Sequence, residues 1–232
     1  MRSLIIRFMD CEGPGILEES LRKSDYKITY HDAYKKGLQL VPESHQIFDL
    51  IVLMGGSKSV YDPKEHDFFK PYLSLVENSI SIPGKKILGI CLGSQIIAKA
   101  LGATVEKGVN GLEVGFSKVS ILNSAHPIFQ NITTSHLTTF HYHGDTFSLP
   151  TGTERLMSSE KYENQMFTYK NKAFGIQCHF EVTYPMLEIW WNIHKDIPKT
   201  LGVISEEIKT KQKEMEANAR ILFDNIVNSK AN

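Results

Sequence analysis

An excess of charge of either sign is missing from the sequence: lysine plus arginine and aspartate plus glutamate each total 26 in 232 residues. Zero formal net charge gives no electrostatic case for nucleic acid or an anionic membrane as partner, which leaves a small molecule or another protein. Cysteine is scarce too. Cys11, Cys91 and Cys178 form no CxxC pair, and an odd count leaves at least one free thiol. A disulfide framework is thereby excluded, and a reducing, cytoplasmic setting is expected. Long apolar runs are also lacking. The opening MRSLIIRFMD passes straight into a strand pattern, with an apolar block too short for a signal core or a membrane span. There is no internal repeat, low-complexity tract or linker, and the lone sequon at Asn131 is read as a chance match.

The 41% of hydrophobic residues can fill the core of one globular unit. Through the first hundred residues, β-rich apolar blocks (SLIIRFMD, KITYHDA, FDLIVLMGG, KKILGIC) alternate with helical ones (ILEESLRKS, a block near 65 to 80, and the segment after Cys91). Such alternation predicts an α/β fold whose mostly parallel central sheet is flanked by helices. Beyond residue 104, short strand candidates (GFSKVSIL, HLTTFHYH, NQMFTYK, AFGIQCHFE) follow one another and predict a small antiparallel extension. YPMLEIWWNIHK reads as a helix. A charged helix is predicted from Ser205 to Ser229, with Ile204, Ile208, Met215, Ala219, Leu222 and Ile226 on one stripe. That division makes residues 1–200 one domain and 201–232 a helical segment, packed on the domain or used at an interface in an oligomer.

The segment GICLGSQ, residues 89–95, places Cys91 where a buried strand turns at once into a helix. Such a corner exposes its apical residue and aims backbone N–H groups at whatever binds there, which favours a nucleophile and lowers a thiol pKa. Gly89 and Gly93 carry no side chain to clash across the bend, a spacing parallel to the hydrolase elbow G-x-S-x-G. A buried structural cysteine beside packing glycines is the competing reading. A nucleophile needs an oriented base. In GIQCHFEVT, His179 and Glu181 lie two residues apart, so strand alternation turns both to one face and Phe180 to the other. Alone, H-x-E equally describes a surface histidine. The strand FDLIVLMGG ends in Gly55-Gly56 at the carboxyl edge of the sheet, where open α/β folds bind ligands. Backbone N–H there, with that of Leu92, would make a two-donor oxyanion hole; a plain tight turn is the alternative.

In this order, M-G-G (54–56), G-I-C-L-G-S-Q (89–95), H-G-D (143–145) and H-F-E-V-T (179–183) resemble the class I glutamine amidotransferases, a flavodoxin-like fold. The likeness is densest from about residue 48 to 190, and is greatest to the glutaminase domain of GMP synthase and its stand-alone relatives. The resemblance implies that Cys91 attacks the glutamine carboxamide to form a γ-glutamyl thioester, with His179 as acid and base and Glu181 holding it. Gly56 and Leu92 would form the oxyanion hole, and Gly55, Gln95, His143 and Asp145 would contact substrate. It implies no cofactor and no metal. Two departures stand out. Phe180 occupies a position that is proline in some families, and Ser57 follows the two glycines where proline is common. No PP-loop motif or nucleotide-activating domain lies in these residues, so ammonia would pass to a synthetase partner, and GMP would not be made by this chain unaided. A γ-glutamyl peptide hydrolase using the same triad is one alternative, and a homologue that binds without cleaving is another. A metal-binding or regulatory module built on His136, His141 and His143 is a further one. Trp190, Trp191 and Cys178 read as core filling, and Cys11 receives no role.

Overall fold

The computed structural model describes residues 1–41 and 43–230. Among the described residues, eleven strands run in chain order: β1 Arg2–Arg7, β2 Lys27–Asp32, β3 Leu50–Leu53, β4 Lys86–Ile90, β5 Val105–Lys107, β6 Glu113–Ile121, β7 His136–His143, β8 Asp145–Phe147, β9 Glu154–Ser158, β10 Met166–Tyr169 and β11 Ala173–Ile176. The α-helices are α1 Ile16–Lys23, α2 Ser44–Ile47, α3 His66–Ser81, α4 Leu92–Ala100, α5 Tyr184–Ile193, α6 Asp196–Leu201 and α7 Glu206–Asn228. Nine strands form one sheet in the order β2-β1-β3-β4-β11-β10-β9-β6-β7, and β5 pairs with β8 apart from it. From β2 to β11 the strands are parallel, in the flavodoxin-like order, and the remaining four are antiparallel. This is the α/β architecture the alternation of blocks predicts.

Period-2 alternation explains why both faces of the parallel half are covered. In β3, Leu50 and Val52 enter one apolar cluster while Ile51 and Leu53 enter the other; in β4, Leu88 and Ile90 face one side and Ile87 the other. One cluster is closed by α1, α5 and α7, the second by α3 and α4. Fully burying each such Leu, Ile or Phe contributes about 1.5–3 kcal/mol. In α7 the residues Met215, Ala219, Leu222 and Ile226 are buried against the domain, Ile208 is half-buried, and Ile204 precedes the N-cap, outside the helix. Ser205 caps α7 by accepting from the Ile208 N–H. Gln212 then ties the helix to the Val182 carbonyl at 2.7 Å. No described helix is long and apolar enough to cross a membrane.

The corner after β4 depends on close backbone approach. Cys91 sits at φ 50°, ψ −109°, a left-handed setting that costs an L residue strain. A Cβ on Gly93 would lie 1.9 Å from the Leu53 carbonyl oxygen, and one on Gly89 would lie 2.3 Å from the Gly93 carbonyl oxygen. Both obstacles are backbone and cannot swing away. Gly93→Ala is therefore expected to destabilise the protein by about 3 kcal/mol or more, read by urea denaturation. A loss below ~1 kcal/mol would show that α4 can shift away from β3 at little cost.

Candidate active site

Four loops leave the carboxyl ends of parallel strands and meet in a cavity of about 320 Å³, at the small end of the range for small-molecule sites. The loop after β1 brings Glu12, that after β3 brings Gly56 to Ser59, and the corner after β4 brings Cys91, Leu92 and Gln95 to its lining, while the bend after β11 places His179 and Glu181 behind the wall, buried and beside Cys91 and Glu12. The end of β7 adds Tyr142 and His143, followed by Gly144 and Asp145.

Cys91 is fixed by its own N–H, which donates to the Ile176 carbonyl at 2.7 Å and so continues the β4–β11 pairing. Its Sγ lies 3.6 Å from Gln177 Nε2 and 4.0 Å from the Tyr142 carbonyl oxygen. His179 is not in a regular strand, because β11 ends at Ile176; an isolated bridge to Phe140 holds it instead. The partnership with Glu181 nonetheless forms, Nδ1 to Oε1 at 2.7 Å, with both side chains buried. The Trp190 ring meets the imidazole edge-on, with centroids 4.9 Å apart, and its Nε1 donates to the Cys11 carbonyl at 2.9 Å. Trp190 therefore fills core and also braces the histidine. Glu181 is held through its backbone: the Ile16 N–H donates to its carbonyl at 2.9 Å, and only glycine fits at position 15, where a Cβ would lie 1.9 Å from that oxygen.

Burial pushes the Cys91 thiol up, and the opposing pull of His179 does not overcome it. The sequence predicts that the helix start lowers that thiol, but desolvation is the larger influence. Burial also works against a charged His179, yet Glu181 and Cys91 outweigh it and hold the imidazole well above its ordinary value. With Nδ1 committed to Glu181, the buried Nε2 has no partner in bonding geometry and is the ring atom left for the thiol.

The other expected site residues divide. Gly56 and Leu92 adjoin: a Cβ on Gly56 would be 3.1 Å from the Leu92 side chain, and both line the cavity with Cys91. Leu92 opens α4, so its N–H has no intrahelical acceptor. Gln95 is buried at the wall and donates to Gln177 Oε1 at 3.1 Å. Asp145 accepts from Ser59 Oγ (2.8 Å) and Tyr61 OH (3.1 Å), tying the 57–61 loop to the far wall. His143 lines the cavity, but its Nε2 and Nδ1 engage Glu113 Oε2 (3.0 Å) and the Asp145 carbonyl (3.1 Å), and its ring packs beside Tyr162 with centroids 5.1 Å apart. Gly55 lies under Glu12 and His179.

His136 stands apart, exposed and paired with Ser135. Glu113 takes its place in the histidine cluster. Its carboxylate lies 3.2 Å from His141 Nδ1 and also accepts from Gln165 and Ser159, and the Glu113, His141 and His143 ligand atoms fall within 4.8 Å of one another. That set could hold a divalent ion, yet it is equally a carboxylate hydrogen-bonded by His143, Gln165 and Ser159 with His141 at ion-pair distance. Cys178 is fully buried in the core, and Cys11 is half-buried, burial raising its thiol to about 11.

Sequence reasoning missed Glu12, Glu113 and Gln177. Glu12 sits in E-G-P-G, which reads as an exposed turn, and nothing local signals its burial. Glu113 becomes visible only through cross-strand register, being directly opposite His143.

The family model for glutamine amidotransferase class-I matches residues 10–185, and the chain belongs to that family. It is 31% identical over 171 residues to the glutamine amidotransferase-like protein YfeJ of Salmonella typhimurium, covering 70% of this chain and 68% of that protein. It is 34% identical over 152 residues to the glutamine-hydrolysing GMP synthase subunit of Sulfolobus acidocaldarius, covering 64% of this chain and 76% of the relative. A crystal structure of a glutamine amidotransferase from Thermotoga maritima superposes with a TM-score of 0.84 at 34% identity, over 99% of both chains. Against a GMP synthase of Leptospira interrogans the chain spans only 29% of the relative's length.

Proposed function

We propose that the protein cleaves the side-chain amide of glutamine, releasing glutamate and ammonia through a γ-glutamyl thioester. The observation that carries this reading is one cavity lined by the strained Cys91, next to a buried His179 whose Nδ1 is held 2.7 Å from Glu181. The Cys91 sulfur forms the C–S bond as His179 takes its proton. Collapse of the tetrahedral intermediate breaks the C–N bond, and His179 passes that proton to the departing nitrogen. Water, deprotonated by His179, then attacks the thioester; the C–S bond breaks and the thiol is restored. Backbone N–H groups of Gly56 and Leu92 hold the oxyanion, each contributing about 3 kcal/mol. Gln95 and Asp145 orient the substrate, and the ring of His143 packs against it.

The relative named as part of a GMP synthase supports ammonia transfer to a synthetase partner. Three free cysteines suit a reducing cytoplasm. Hydrolysis of γ-glutamyl peptides is the second reading, favoured by the fact that the same residues serve any leaving amine. Incubation with L-glutamine and with γ-glutamyl dipeptides, measuring glutamate, separates the two. Slow glutamine turnover, with slower or no dipeptide cleavage, is expected from the isolated chain. Rapid cleavage of dipeptides alone would overturn the preferred substrate. A glutamine-analogue electrophile should label Cys91; labelling of Cys11 or Cys178 with Cys91 spared would overturn the site.

A further inference from the structure

Glu12 is 6% exposed, lines the same cavity as Cys91, and its Oε2 has no partner. A buried carboxylate without a partner is costly, so a protein that retains one has a use for its charge. Its location is built from several sides. A Cβ on Gly55 would lie 1.8 Å from Glu12 Oε2 and 3.4 Å from His179 Cε1, so carboxylate and imidazole meet over that α-carbon and only glycine admits them. The neighbouring Cys11 carbonyl is pinned by Trp190, the ring that also braces His179.

We infer that Glu12 is a specificity-determining residue, placing a negative charge on the leaving-group side of Cys91 so that ammonia and uncharged amines are accepted and amines bearing a carboxylate are rejected. The inference rests on the proposed hydrolase reading. His179 must protonate the departing nitrogen, so that nitrogen lies beside the imidazole and hence beside Glu12. In a γ-glutamyl amino acid the carboxylate stands two bonds from that nitrogen. It enters the same low-dielectric corner as Glu12, where like charges repel strongly. Glutamine brings only a hydrogen-bearing nitrogen there.

Burial raises Glu12 to about 7, His179 pulling it down and Glu181 pushing it up. The exclusion therefore strengthens as pH rises through neutrality. The groups facing this corner are His179, Glu181, Cys91 and Tyr142, with His143, His194, Lys58 and Asp145 on the cavity wall. Burial holds His194 below its ordinary value, the Cys91 thiol and Tyr142 phenol are both raised, and Glu181 and Cys91 hold His179 well above its ordinary value, so Glu12 is the carboxyl expected to change charge near pH 7.

Alkylation of Cys91 by iodoacetate and by iodoacetamide tests the charge without requiring turnover. Both reagents attack the same thiolate, so their rate ratio cancels the thiolate fraction. In the native protein the iodoacetate-to-iodoacetamide ratio should fall at least fivefold from pH 6 to pH 8, and in Glu12→Gln it should be flat and higher. A native ratio at pH 8 no lower than that of a free small thiol overturns the proposal even if the variant does not fold. With substrates, γ-glutamyl ethylamide should exceed γ-glutamylglycine in kcat/KM by at least tenfold at pH 8, and Glu12→Gln should narrow the gap to about threefold. An unchanged gap in the folded variant overturns it. If neither compound is cleaved while the alkylation ratio behaves as stated, the hydrolase reading fails and the charge assignment stands.

Discussion

Cys91→Ala is expected to lower glutamate release from glutamine by on the order of 10⁴-fold or more, because removing the proposed nucleophile of a coupled triad costs nearly all that such a triad supplies. The fold should survive, since the thiol occupies a corner set by Gly89, Gly93 and the Cys91 N–H bond to Ile176 rather than by sulfur. Circular dichroism and denaturant titration check that survival. The backbone provides a second readout. At φ 50° and ψ −109° an alanine is as strained as the cysteine, whereas glycine is not. Relief of strain is worth about 1–3 kcal/mol, and the extra freedom of glycine in the unfolded chain takes back about 0.5–1. Cys91→Gly should thus be inactive yet more stable than Cys91→Ala by about 1 kcal/mol in urea titrations. Equal stability would mean that the corner stores no strain, and residual activity near the native level would remove Cys91 from the reaction.

How much of this was visible in the chain depended on whether the cause was local. LIVL in β3 and KILGI in β4 are apolar on both faces because helices cover both, and that pattern is readable without coordinates. The glycines around Cys91 were readable as well, because close backbone approach demands them wherever a strand turns so sharply. His179 and Glu181 came together as their spacing suggested, though in a bend beyond β11 rather than in a strand, so alternation gave the right neighbours for an incomplete reason. In β9, ERLMS has no β-branched residue, and its pairing with β10 and β6 supplies what propensity does not. Glu12 was opaque for a different reason. Its burial is decided by Gly55 and Trp190, more than forty and more than a hundred residues away in sequence, so no window of chain contains the explanation.

The hydrogen bond between His179 and Glu181 has the second large effect to measure. Glu181→Gln preserves shape and removes charge, leaving an amide that can offer an N–H where the imidazole needs an acceptor. By analogy with the aspartate-to-asparagine change in serine protease triads, turnover should fall by roughly 10²–10⁴-fold. The direction with pH follows from the proton affinities. Glu181 is the leading influence raising His179, so its ionised form favours imidazolium and lets Cys91 surrender its proton to the ring. Without that carboxylate the ring loses its own proton first, the pair rests as neutral thiol and neutral imidazole, and thiolate forms only at higher pH. Iodoacetamide labelling of Cys91 in Glu181→Gln should therefore slow at pH 7, and its rate-versus-pH midpoint should move upward. A midpoint that stayed in place or moved down would show that the thiolate is not sustained by this imidazolium. The burial that raises the thiol would then be answered by the substrate, or by the N–H groups at the start of α4, when the cavity is filled.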